Sequence, residues 1–159
     1  MPNGTVMASE NEISGDIVDA AIKLHQRLGP GLLESAYEMI LASELARRGH
    51  KVERQAPVSF DYEGMRFADA FRIDMIVDDQ VVVELKATEQ KNPVFPRQLK
   101  TYLALMNKHL GLLLNFGQAR MVDGIERIIN GYGQQTSDSQ TGSVSLRLCV
   151  ITEGRRHGD

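Results

Sequence analysis

One cysteine, Cys149, stands among the 159 residues of this chain. Alone it cannot form an internal disulfide, and it cannot by itself hold an iron–sulfur cluster or a structural zinc site. No apolar run approaches the roughly 20 residues that a membrane-spanning helix needs, and Met1 to Gly15 lacks the apolar centre of a signal peptide. Secretion and a membrane role are therefore not expected, and the cytoplasm is the default compartment. An excess of positive charge is also missing, with a net charge of -3 and a pI of about 5.8. That argues against coating nucleic acid by bulk electrostatics, because phosphate neutralisation needs clustered Lys and Arg. A nucleic-acid partner then requires a local attraction, such as a divalent cation held by carboxylates. What remains is ordinary for a soluble globular protein: 42% hydrophobic and 25% charged residues, enough for one domain with tails.

Hydrophobic periodicity gives an order of elements. Ile17, Ala21, Leu24 and Leu28 mark a first helix, with Ser14 as its expected N-cap and Gly29-Pro30 as its stop. Leu33, Ala36, Tyr37, Ile40, Leu41 and Leu45 mark a second, ended by Gly49. Val58, Phe60 and Tyr62 alternate up to a turn at Glu63-Gly64, and Met65, Phe67, Phe71, Ile73, Met75 and Val77 continue in odd-numbered register, which predicts a long β-hairpin. After Asp78-Asp79, the run Val81 to Ala87 reads as a central strand. Leu99, Tyr102, Leu103 and Met106 predict a third helix, Gly111 to Phe116 a buried strand, and Met121 to Ile129 a last short strand or an edge hairpin around Asp123-Gly124. The predicted order is α-α-β-β-β-α-β-β, with a flexible N-terminus over 1–12, a folded domain over 13–132 and a polar extension over 133–159. In that extension Val144, Leu146, Leu148 and Val150 alternate as an added edge strand would.

Chemistry concentrates around the third strand. Glu84 and Lys86 are two apart and share one face, and the turn at Asp78-Asp79 brings Asp74 across from Glu84. Neighbouring carboxylates on central strands repel unless a cation separates them. Magnesium binds through one or two carboxylates and keeps waters, and a nearby Lys can orient an attacking water or stabilise a scissile phosphate. The alternative is a half-exposed strand on which Glu84 and Lys86 form a solvated pair. Glu34, in the first turn of the second helix, either favours the helix dipole or supplies a further acidic ligand, and Tyr37 is placed to pair with it. Gln98 and Tyr102, at i and i+4 on the third helix, can project together toward the same face, although Tyr102 also fits the apolar stripe. Lys91, Arg97 and Lys100 are candidate phosphate contacts or simply a solvated face. His25 reads as a core histidine, and the histidines and the cysteine lack zinc spacing.

With these residues in place, the sequence resembles the GxxExxY group of the PD-(D/E)XK nuclease superfamily. Gly31, Glu34 and Tyr37 match the naming motif. Asp74 and Glu84-Leu85-Lys86 match the superfamily signature, Gln98 and Tyr102 resemble the Gln-x-x-x-Tyr helix motif of its RecB-like branch, and Asn115-Phe116-Gly117 resembles the family's strand end. The resemblance spans roughly Ile13 to Tyr132. It implies an α/β, restriction-endonuclease-like core, with a mixed central β-sheet flanked by α-helices. It also implies a Mg2+-dependent nuclease, with Mn2+ as substitute. Asp74, Glu84 and Glu34 would then be the metal-side acids, Lys86 the catalytic lysine, and Gln98 and Tyr102 the supporting pair. The expected partner is nucleic acid, DNA before RNA. A partner subunit could lend the acidic chain its grip and a homodimer could pair two sites across two strands, and an alternative reading is a catalytically weak or inactive nuclease-fold binding or assembly protein.

Overall fold

The computed structural model describes residues 8–131; the expected strand around Val144 to Val150 and Cys149 lie outside the described residues. Helix α1 runs Glu10–Leu28 and begins earlier than the hydrophobic pattern suggests, inside the stretch expected to be a flexible N-terminus. Ser9 is the reason. Its Oγ accepts from the Glu12 N–H at 3.2 Å, while the Glu12 carboxylate accepts from the Ser9 N–H at 3.0 Å. This reciprocal box satisfies two N–H groups that the first turn would leave unpaired, and it is worth about 1 kcal/mol. Ser14, the expected cap, is instead buried inside the helix, its Oγ donating to the Asn11 carbonyl at 3.3 Å.

At the other end, Gly29 takes φ of +71°, a value that a side chain would resist, and the chain turns through Pro30-Gly31 into α2 (Glu34–Arg47). Tyr37 secures this corner. Its hydroxyl donates to the Gly29 carbonyl and accepts from the N–H groups of Gly31 at 2.9 Å and Leu32 at 3.1 Å. Its ring is fully buried, stacked on Phe116 with centroids 4.5 Å apart. Tyr37 therefore does not pair with Glu34, because three backbone groups of the corner occupy its hydroxyl.

The strands β1 (Val52–Tyr62), β2 (Met65–Val77), β3 (Val81–Lys86), β4 (Leu110–Asn115) and β5 (Ile125–Ile129) form one sheet in that spatial order. All neighbours are antiparallel except β3 and β4, which are parallel and joined through α3 (Val94–Met106). A parallel pair needs such a crossover, and this one places α3 over one face of the sheet while α1 and α2 cover the other. The mixed five-stranded sheet with its three helices is the α/β, restriction-endonuclease-like architecture that the resemblance implies. Before β5 the chain makes a single 3₁₀ turn over Met121–Gly124 instead of a hairpin. Gly124 there allows no side chain, since a Cβ would lie 2.1 Å from the Asn115 carbonyl oxygen.

The hairpin does not keep one face inward along its length. Met75 and Val77 pack with α1 and α2, whereas Ile73, also fully buried, packs with α3; on the partner strand Val52 lies on the first side and Ala56 and Val58 on the second. The exchange occurs where Gln55 stands opposite Asp74, and Gln55 adopts a left-handed φ of +50°. For a residue other than glycine this conformation costs about 1–2 kcal/mol.

Candidate active site

The ladder between β2 and β3 ends at the Met75–Val83 pair. One step further stand Asp74 and Glu84, and there side chains replace the backbone bonds. The Asp74 N–H donates to Glu84 Oε1 at 3.1 Å, and the Leu85 N–H donates to Asp74 Oδ2 at 2.9 Å. Each carboxylate is thus fixed by the opposite strand through one oxygen. The other oxygen is nearly free: Asp74 Oδ1 has only a long 3.4 Å contact from the Gln55 amide, and Glu84 Oε2 accepts no hydrogen bond among the described residues. Glu84 is 8% exposed. Its burial, then the charge of Asp74, pushes its carboxyl up to about 8.

Lys86, on the same face of β3 two residues on, carries its ammonium 4.5 Å from the centroid of the Phe95 ring on α3. The strand end beneath it is clamped. Asn115 Oδ1 accepts from the N–H groups of Thr88 and Gly117, both at 3.0 Å, and the Phe116 N–H donates to the Lys86 carbonyl at 2.8 Å. Gly117 is required at this clasp, where a Cβ would come within 2.4 Å of the Thr88 backbone. His25 is a buried structural histidine whose Nε2 lies 2.9 Å from the Gln118 carbonyl.

The remaining sequence-predicted residues divide. Tyr102 reaches the site: it stacks on Phe71 at 4.2 Å, and burial followed by the charges of Glu84 and Asp74 raises its phenol. Glu34 lies at the rim; it is exposed as a residue, yet enough protein crowds its carboxyl that desolvation, followed by the charge of Asp74, raises it. Gln98 is exposed one turn before Tyr102, and its amide makes no hydrogen bond among the described residues. Lys91, Arg97 and Lys100 are exposed. Two residues of the site carry no signal in the sequence pattern. Glu38, buried on α2 one turn after Glu34, accepts from the Gln55 amide at 2.8 Å and faces the Arg54 guanidinium at 3.5 Å. Gln55 thereby links α2 to Asp74. The Glu34–Glu38 spacing of one helical turn is visible in the sequence, but nothing local announces the left-handed residue that joins it to the strands.

Among the described residues, no three His, Cys, Asp or Glu side chains gather into a metal cage. Magnesium does not require one, since it takes one or two carboxylates and retains several waters. The Asp74–Glu84 pair fits that demand: two hard oxygen donors, rigidly held, partly desolvated, and mutually repulsive without a cation.

None of the curated proteins compared with the chain matches it. A solved structure described as the crystal structure of SSO0001 aligns with 97% of this chain and 82% of its own, at 14% identity and a TM-score of 0.39, a likeness too slight to carry an argument. The family model of the PD-(D/E)XK nuclease superfamily matches residues 11–128, which include all three helices' sheet-facing residues, the Asp74–Glu84 step and Lys86. With that match over most of its length, the chain belongs to the PD-(D/E)XK nuclease superfamily.

Proposed function

We propose that this chain is a divalent-metal-dependent nuclease of the GxxExxY group, hydrolysing phosphodiester bonds in DNA in preference to RNA, with residues 13–132 as its catalytic unit. The observation that carries the reading is the Asp74–Glu84 step, where two carboxylates hold one another's strands and each leaves an oxygen for a cation. Bound there, Mg2+ or Mn2+ would supply Lewis acidity and a water of lowered pKa. Asp74 and Glu84 hold the ion, and Glu34 adds negative charge from the rim. Lys86, on the same strand face as Glu84, places a positive charge where the attacking water or the scissile phosphate needs one. Tyr102, stacked against Phe71, closes the α3 side of the site, and Gln98 stands beside it to hold a phosphate or a water.

The acidic net charge favours a second reading, in which a partner subunit or a second copy supplies the grip on nucleic acid and the isolated chain cleaves poorly. Cleavage of plasmid, linear duplex, single-stranded DNA and RNA with Mg2+, Mn2+ or EDTA tests both. Metal-dependent cleavage that Glu84→Ala and Lys86→Ala abolish is the expected result. A folded wild type that binds the metal but cleaves nothing would favour the partner-dependent reading.

A further inference from the structure

Gln55 combines three features that a routine strand residue does not. Its backbone is left-handed without being glycine, it stands opposite Asp74 at the step where both hairpin strands change their inward face, and its amide reaches two carboxylates at once. Glutamine has no helpful propensity for a left-handed φ; Gly, Asn or Asp would fill the position with less strain. The side chain is therefore what the position requires. From this backbone the amide donates to Glu38 Oε1 at 2.8 Å and lies 3.4 Å from Asp74 Oδ1. On its other side Asp74 is held by the Leu85 N–H at 2.9 Å. The Gln55 carbonyl is itself fixed by the Arg72 guanidinium at 3.3 Å.

We infer that Gln55 is a positioning residue, which ties Asp74 Oδ1 to Glu38 of α2 and so sets the direction in which that oxygen presents its remaining lone pair. This deepens the reading of the site as a metal-dependent nuclease and rests on it. A neutral amide suits the position, because its NH2 donates to two acids at once and adds no charge to a site that already holds Glu34, Glu38, Asp74 and Glu84. A lysine there would neutralise Asp74 and compete with a metal, and a glutamate would repel it.

Gln55→Gly separates positioning from stability, because glycine relieves the backbone strain while deleting the amide. Three readouts are taken on the full chain: thermal unfolding, amide hydrogen exchange at Leu85 without metal, and kcat against KM with Mg2+. The expected result is a melting temperature close to that of wild type, the relieved strain offsetting the lost bond to buried Glu38, together with exchange at Leu85 at least about tenfold faster as the Asp74 acceptor is freed. A kcat lower by about 10–100-fold with KM little changed is expected beside it, the range typical of residues that orient a metal ligand. Gln55→Glu should lower kcat further. Unchanged Leu85 exchange in Gln55→Gly overturns the inference, whether or not the protein cleaves. A wild type without nuclease activity would count against the reading of the isolated chain as a nuclease and not against this inference, since the exchange measurement still decides whether Gln55 holds Asp74.

Discussion

Two pairs of acids bracket the lower half of the β2 strand, and they are treated oppositely. Past its C-terminal end, Asp78 and Asp16 of α1 face the two nitrogens of His50, at 2.5 Å and 2.7 Å. The chain has inserted its own cation between them, and Lys51 serves Asp79 in the same way at 3.1 Å. Three residues inside the strand, Asp74 and Glu84 stand together, neither ion-paired to a basic side chain among the described residues, and Lys86 rests on the face of Phe95. The first cluster is balanced and joins α1 to the sheet. The second is left without such a partner in a region where burial makes imbalance costly, and this difference is what the proposed cation site rests on.

The strongest way to break this contrast is to remove one unbalanced acid. Glu84→Gln should lower metal-dependent cleavage by at least about 10³-fold, since the Lewis acid it is proposed to help hold is worth several kcal/mol. Its metal-free melting temperature should not fall, because the amide keeps the side chain's shape and its oxygen still accepts from the Asp74 N–H. Gel-based cleavage and thermal melts check the two halves. Lys86→Met comes next, with a loss of about 10²–10³-fold, in the range of deleting one group that stabilises developing charge.

The balanced cluster should respond in stability instead. His50→Ala leaves Asp16 and Asp78 facing each other and should cost about 1–2 kcal/mol, below the value for fully buried pairs because Asp16 is half exposed. Burial alone would lower the His50 pKa, but its bonds to Asp78 and Asp16 outweigh this and raise it above 6.5. A raised folded pKa means that the contribution is complete below about 6.5 and disappears as pH climbs through the folded value. Urea melts of wild type and His50→Ala on both sides of neutrality should therefore converge at alkaline pH. Gln98→Ala is the smallest expected effect: stability within about 0.5 kcal/mol, as for an exposed residue, and cleavage reduced no more than about tenfold.

The order of elements along the chain is legible in the hydrophobic pattern, and the approach of Asp74 to Glu84 is legible because a tight turn at Asp78-Asp79 fixes register over the few residues on either side. Lys86 follows from period-2 alternation on a short strand. Elsewhere a competing local signal misleads: Ser14 stands before Ile17 and looks like a cap, although Ser9-x-x-Glu12 offers the stronger reciprocal arrangement. Tyr37 carries a motif position, yet its hydroxyl is committed to Gly29, Gly31 and Leu32, contacts that no spacing rule exposes. Gln55 and Glu38 are hidden for a deeper reason. Alternation along β1 and β2 reads as unbroken, and only the left-handed turn at Gln55 moves the hairpin from one core to the other and brings α2 to Asp74.

The central claim is that the Asp74–Glu84 step is built for a divalent cation and the His50 cluster is not. Calorimetric titration of Mn2+ into wild type, Glu84→Gln and His50→Ala at one pH measures this directly. The account predicts saturable binding by wild type, the same binding by His50→Ala, and its loss in Glu84→Gln. Equal binding by wild type and Glu84→Gln, or none by a folded wild type, would contradict it.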